Sequence, residues 1–289
     1  MSVTDDLKNV FSGSGNGLMR IILINVIVFF IVNVVGELIR FTGNGHSLVY
    51  WLALPGDTIL ALTHGWTFFT YMFLHEGLMH ILFNMLWLYW LGKIFVEYVG
   101  SKRLVAVYLL GGISGGILFT LTSMIFPIYF SNTILLGASA GVMAVVVAIA
   151  ILLPDYMIHL VFFGGVKLKY LALASFILTS LLDISQNTGG KISHIGGALF
   201  GMIFMLQYKN GNDITKPVTA FLDWIVGLFS KRPKIKVSYS RKVNDDEYNL
   251  NQKAKQQRID SILDKISKSG YDALTKDEKD FLFKASGKK

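Results

Sequence analysis

The sequence predicts an all-α polytopic membrane protein, six hydrophobic helices packed as a bundle and followed by a small helical tail. Composition is the first reason: 53% of residues are hydrophobic and 16% charged, with a mean hydropathy of +0.51, whereas soluble domains run near about 25% charged. Charge placement is the second. Residues 209–289 hold 18 of the 27 Lys/Arg and 11 of the 19 Asp/Glu, so the basic pI of about 9.4 belongs mostly to the tail. The first two thirds are an apolar body. The chain has no cysteine, which excludes disulfides, thiolate metal sites and a cysteine nucleophile. The bilayer is the expected partner, and nucleic acid is not.

A helix needs roughly 20 apolar residues to cross about 30 Å of hydrocarbon. Six stretches qualify, at 17–38, 78–99, 103–126, 135–153, 168–185 and 192–208. The first follows Lys8, contains Arg20 and shows no small-residue cleavage site after it, so it reads as a retained span. Segment 39–77 carries Trp51, Trp66, Leu52 and Leu54, with turn signals at Pro55-Gly56 and His64-Gly65. Tryptophan favours the bilayer interface, which predicts a loop lying partly in the membrane surface. The apolar run 157–165 is too short to span and reads as a cytoplasmic-side or re-entrant segment.

Orientation follows from Lys and Arg in the connections. With a cytoplasmic N-terminus, the inner segments hold Lys8, Arg20, Lys102, Arg103, Lys167, Lys169 and the whole tail. The outer ones hold Arg40 and Lys191, and Lys93 snorkels to the inner face. Beyond residue 208, Ile214, Val218, Phe221, Leu222, Ile225 and Phe229 recur at spacings of three and four. That pattern, with Lys231, Arg232, Lys234 and Lys236 behind it, predicts an amphipathic surface helix. Residues 251–286 read as a helical hairpin: Ile259, Ile262, Leu263 and Ile266 form a stripe, Ser269-Gly270 turns, and Thr275 with Glu278 makes a capping box. The expected division is 1–16, 17–208, 209–250 and 251–289.

Polar side chains inside spans are costly and mark function by default. His80 and Asn84 fall in the second span, Ser139 in the fourth and His194 in the sixth. All lie in the first turns of spans that run from outside to inside, so they share one depth near the outer face. A serine becomes nucleophilic beside a histidine base. No carboxylate lies in the fourth or sixth span to orient that base; Asp183, at the outer end of the fifth, reads as an interfacial or capping residue. A dyad is therefore expected. His80 and Asn84 stand four apart, about 40° around a helix, and with the Ser139 N–H they form a candidate oxyanion site.

These residues carry a resemblance. Gly137-Ala138-Ser139-Ala140, His75-x-x-x-x-His80-x-x-x-Asn84 and His194-x-x-Gly197-x-x-x-Gly201, with the glycine-rich third span (Gly111, Gly112, Gly115, Gly116), resemble the rhomboid intramembrane proteases over most of residues 15–208. The resemblance implies a six-span rhomboid-like bundle in which Ser139 is the nucleophile and His194 the general base, with His80 and Asn84 lining the oxyanion site. It implies no metal or cofactor. It implies transmembrane protein substrates cut beside a small residue and a bacterial cytoplasmic membrane, in which the Lys/Arg count places both termini on the cytoplasmic side. Three positions depart from the family pattern: Ala140 replaces a glycine after the nucleophile, Thr67 an arginine after Trp66, and Met143 an aromatic beneath the base. The fifth span and the connection 186–191, with Gly189 and Gly190 as a hinge, are the candidates for lateral opening.

Other readings compete with this one. Ser139 alone would be a small packing residue, as Gly137 and Gly141 are; the partner His194 reverses that. His46, His64 and His159 read as interfacial. His75-Glu76 with His80 superficially matches a zinc-protease motif, but that chemistry needs histidines four apart, and five places them about 140° apart on a helix. A transporter would need intramembrane charges to relay ions, which are missing. The closest competitor is a catalytically silent, derlin-like relative that binds membrane proteins; such relatives lack the serine or the histidine, and both are present here.

Overall fold

The computed structural model describes residues 17–41, 48–160, 164–181, 187–229 and 245–286. Lys8, His46, Asp183, Gln186 and the basic run Lys231, Arg232, Lys234 and Lys236 lie outside them. The chain divides into two compact units, Met1–Ser230 and Lys231–Lys289.

In the first unit α1 (Gly17–Phe30) passes through a π-turn, Ile31–Val35, into α2 (Gly36–Phe41). The π-turn carries Asn33, whose Nδ2 donates to Phe29 O at 2.9 Å and to His75 O at 3.2 Å. Segment 48–73 folds into α3 (Leu48–Leu52), β1 (Leu54–Pro55), α4 (Thr58–Thr63), α5 (Thr67–Thr70) and a 3₁₀ turn, Tyr71–Phe73. Local bonds hold it: Trp66 Nε1 donates to Trp51 O at 3.0 Å, Thr67 Oγ1 to His64 O at 2.7 Å, and the Asp57 carboxylate caps α4. Thr67, where an arginine is common, is thus buried and hydrogen-bonded.

The long helices follow: α6 (Leu78–Tyr98), α7 (Ser101–Ile125), then the short α8 (Pro127–Phe130) and β2 (Ile134–Leu135), α9 (Ser139–Leu152), a ribbon of β3 (Met157–Leu160) and β4 (Gly164–Lys167), α10 (Leu168–Ser180), α11 (Thr188–Lys209) and α12 (Lys216–Phe229). Among the described residues four helices are long and apolar enough to cross a membrane: α1 continued to Val35, α6, α7 and α11. Within the expected spans 135–153 and 168–185 the described residues form the shorter apolar helices α9 and α10, and residues 182–185 lie outside the described ones. The outer end of the first is used differently: Ile134 and Leu135 pair antiparallel with Pro55 and Leu54, and Gly137 turns the chain at φ +123°. In the run 157–165 the described residues belong to the β3–β4 ribbon, with His159 opposite Gly165 and Leu160 opposite Gly164; residues 161–163 lie outside the described ones.

Helices α7, α9 and α11 form the tightest packing, and glycine makes it possible. A Cβ on Gly111 would stand 2.3 Å from Ala144 Cβ, one on Gly115 2.6 Å from Ala140 Cβ, and one on Gly197 2.1 Å from Ala140 O. Backbones approach across small residues in apolar surroundings, where no hydrophobic effect draws helices together. Buried polar groups around α7 are paired: Ser114 Oγ donates across the seam to Gly196 O at 3.0 Å, while Tyr71 Oη donates to Gly112 O at 2.6 Å and Tyr108 Oη to Met72 O at 3.0 Å, tying α7 to the 3₁₀ turn. Unpaired, each would cost about 2–7 kcal/mol in hydrocarbon-like surroundings.

Helix α12 is held to the start of α7 by Arg103 Nε–Asp213 and Lys102 Nζ–Asp223, both at 2.7 Å. Phe221, Trp224, Val226 and Leu228 remain exposed. The second unit is the expected hairpin of α13 (Asp245–Ser269) and α14 (Lys276–Ser286), turning at Gly270 with φ +79°. Its capping box is present: Thr275 N donates to Glu278 at 2.8 Å and Glu278 N to Thr275 Oγ1 at 3.4 Å. Ile262 and Leu274 are buried, while Leu263 of the expected stripe is half exposed.

Candidate active site

Ser139 is the first residue of α9, not one or two turns inside a span as the hydropathy profile suggests. The left-handed Gly137, whose N–H donates to Tyr71 O at 3.0 Å, redirects the chain from β2 into the helix. The helix ladder starts with Val142 N–H to Ala138 O at 3.0 Å. The amides of Ser139, Ala140 and Gly141 therefore stand free of it, at the positive end of the α9 dipole. Ala140, in place of glycine, keeps its N–H.

His194 lies in the second turn of α11, buried at 8% exposure. Its Nε2 is 2.7 Å from Ser139 Oγ, and its Nδ1 is 3.2 Å from the backbone carbonyl of Thr179. A carbonyl only accepts, so Nδ1 carries the proton and Nε2 presents its lone pair to the serine hydroxyl. Thr179 is in the last turn of α10, where carbonyls lack helical partners. The negative end of a helix thus occupies the place a carboxylate takes in a triad. No sequence pattern announces a backbone carbonyl, and Thr179 was not among the expected site residues.

His80 and Asn84 face the same point from α6. The Gly137 Cα can approach the His80 ring only because it lacks a side chain: a Cβ there would stand 3.1 Å from both Cε1 and Nε2 of His80 and 3.6 Å from Ser139 Oγ. Asn84 is buried, and its Nδ2 donates to His80 O at 2.9 Å. A cavity of about 500 Å³ is lined by His80, Asn84, Ser139 and His194, with Trp87 and Met143 among its apolar walls. The four expected polar residues therefore meet in one space. Met143, where an aromatic is common, is buried at 6% exposure in that wall.

One expectation needs correction. His75 precedes α6, in extended chain before the Gly77 cap, so a helical angle does not describe it. Its ring meets that of His80 edge-on at 5.0 Å, and it is buried with neither nitrogen hydrogen-bonded. Among the described residues no group of three or more His, Asp or Glu is placed to hold a metal ion. Gly189 and Gly190 are the residues expected as a hinge. They lie inside the first turn of α11, packed against Phe119 and the Asn187 cap, whose Oδ1 accepts from Gly190 N at 3.2 Å. Chemically, the arrangement offers a hydroxyl beside an imidazole nitrogen that presents its lone pair, and free amides around the same point.

Residues 62–210 match the family profile described as the Rhomboid domain, and residues 243–288 match a family of unknown function, DUF6576. The chain is 34% identical over 96 residues to the Rhomboid protease GlpG of Klebsiella pneumoniae strain 342, covering 33% of this chain and 32% of that protein. It is 31% identical over 96 residues to the Rhomboid protease GlpG of Salmonella typhi, with the same coverage of 33% and 32%. The matched part spans about one third of the length of these curated relatives.

Proposed function

Because this chain belongs to the rhomboid family, we propose that it is an intramembrane serine endopeptidase that cuts transmembrane segments of other membrane proteins with a Ser139–His194 dyad. The observation that carries the reading is the 2.7 Å contact between His194 Nε2 and Ser139 Oγ. In the proposed reaction Nε2 takes the hydroxyl proton as Oγ attacks the scissile carbonyl, and the imidazolium returns that proton to the leaving amine. Water, activated by the same nitrogen, then hydrolyses the acyl-enzyme. The Thr179 carbonyl, 3.2 Å from Nδ1, stabilises the imidazolium. The oxyanion is received by the α9 amides, with His80 and Asn84 alongside.

In this reading α9 and α10 cross the bilayer with the four longer helices, giving six spans and cytoplasmic termini, in the bacterial cytoplasmic membrane. Residues 17–208 form the catalytic membrane domain, 209–250 a surface helix and linker, and 251–289 an accessory hairpin. No cofactor is required. The test is labelling of the purified protein by a fluorophosphonate probe together with cleavage of a transmembrane substrate. Labelling at Ser139, lost in Ser139→Ala and His194→Ala along with all cleavage at unchanged Tm, is expected. Full cleavage in either variant overturns the dyad, and folded protein that neither labels nor cleaves supports the silent binding role instead.

A further inference from the structure

A second groove, of about 830 Å³, runs along the C-terminal half of α6 between the β3–β4 ribbon and Leu171 of α10. Its apolar length includes Trp87, Trp90, Leu91 and Ile94, and its polar end carries Lys93, Glu97 and His159. Glu97 lies 13 residues beyond Asn84 on one helix, roughly 20 Å along the axis. The polar end is therefore near the membrane face opposite Ser139, at the depth where Tyr and Trp concentrate. Tyr156, which stacks edge-on against Tyr98 at 6.4 Å, belongs to the same wall.

The charges here are not spent on each other. Lys93 Nζ sits over the Tyr89 ring at 5.1 Å, and among the described residues Glu97 has no ion pair. A Lys four residues before a Glu is the weaker order for pairing within a helix. The nearby Lys167 and Lys169 are both taken by Asp155, each at 2.9 Å. What remains is an exposed ammonium and an exposed carboxylate one turn apart, at the end of a lipid-lengthwise apolar groove.

We propose that this groove holds one phosphatidylethanolamine molecule, with its phosphate on Lys93, its ammonium on Glu97 and an acyl chain along Trp87, Trp90 and Ile94. A single zwitterion with an N–H-bearing amine satisfies both side chains. An anionic glycerol headgroup would leave Glu97 facing more negative charge, and a trimethylammonium cannot donate a hydrogen bond to it. The assignment does not depend on the protease reading.

Native mass spectrometry of the detergent-purified full chain, incubated with equimolar phosphatidylethanolamine, phosphatidylglycerol and phosphatidylcholine, tests it. One ethanolamine lipid should be retained in preference to the other two. Glu97→Gln should remove the preference for ethanolamine over choline, and Lys93→Gln should weaken retention of both by about tenfold, the loss of one charge-assisted hydrogen bond. Both positions are exposed, so Tm should be unchanged in lipid-free detergent. Equal retention of the three lipids by the parent overturns the proposal. So does an unaltered preference in Glu97→Gln, or displacement of the lipid by a transmembrane substrate peptide, which would assign the groove to substrate.

Discussion

Replacing Gly197 by alanine should separate Ser139 from His194, the proposed dyad, without touching either member. The added Cβ would stand 2.1 Å from Ala140 O, 2.7 Å from its carbonyl carbon and 3.0 Å from its Cα. All three are backbone atoms of α9, so no rotamer change relieves the overlap. Reaching the 3.4 Å at which ordinary contact begins requires α11 to retreat by roughly 1.3 Å, the difference between those two distances. Gly197 is one turn below His194, so the retreat would carry Nε2 from 2.7 Å to about 4 Å from Ser139 Oγ, beyond hydrogen-bond reach. Overpacking costs about 1–3 kcal/mol, and a misplacement of about 1 Å costs on the order of 10²-fold in rate. Gly197→Ala should therefore label with fluorophosphonate and cleave about 10²-fold more slowly, with a moderately lowered Tm. The comparison with Gly111→Ala sharpens the logic, because there the first obstacle is a side chain, Ala144 Cβ at 2.3 Å. Ala144→Gly should restore stability to Gly111→Ala, whereas Ala140→Gly should do nothing for Gly197→Ala. Parental cleavage by Gly197→Ala, or its rescue by Ala140→Gly, would show that the glycine seam does not set the dyad distance.

Asn84→Ala should slow turnover by up to about 10²–10³-fold yet leave fluorophosphonate labelling in place, because the nucleophile and base are intact; unchanged turnover would reduce Asn84 to its bond with His80 O. Nitrogen-15 NMR of histidine-labelled protein should find His194 protonated on Nδ1, the tautomer its bond to Thr179 O demands, and a proton on Nε2 would refute that orientation. Burial raises the Asp213 carboxyl, but hydrogen bonds from Thr215 and Arg103 outweigh it and hold it below the ordinary carboxylate range. A depressed folded value means the stabilisation is full above the unfolded pKa of about 3.9 and is lost as pH falls through the lower folded one. Asp213→Asn should thus cost about 1–3 kcal/mol at neutral pH, with the gap in Tm closing below about pH 4; a pH-independent gap counts against the ion pair. Truncation after residue 230 should preserve cleavage within a few-fold, while truncation after residue 210, which removes both partners of Lys102 and Arg103, should lower Tm; equal Tm for the two would deny α12 a role in holding α7.

The membrane class, the helix order and four residues that line the candidate site were legible in the sequence for related reasons. Hydrocarbon admits few polar groups, so apolar length reports a buried helix, and Ser139, His80, Asn84 and His194 stand out against it. The capping box at Thr275 and Glu278 was legible because its bonds close within four residues. Helix ends were not. Ile134 and Leu135 are as apolar as a span, but they pair with Leu54 and Pro55, residues about 80 positions earlier, and hydropathy does not register a partner that distant. The same limit turned His75 into a helical residue.

What the sequence by itself determined is the chemistry on offer: a serine, a histidine, no cysteine, and small residues spaced one turn apart on helices long enough to be buried. The tertiary structure decided how that chemistry is arranged. It brought Ser139 to the N-terminus of a helix at the wall of a cavity, let α11 close on α9 across Gly197, and set the Thr179 carbonyl against His194 Nδ1. The last of these has no trace in residue identity, since every amino acid carries the same carbonyl; only the ending of α10 beside α11 leaves this one free to accept from His194 Nδ1.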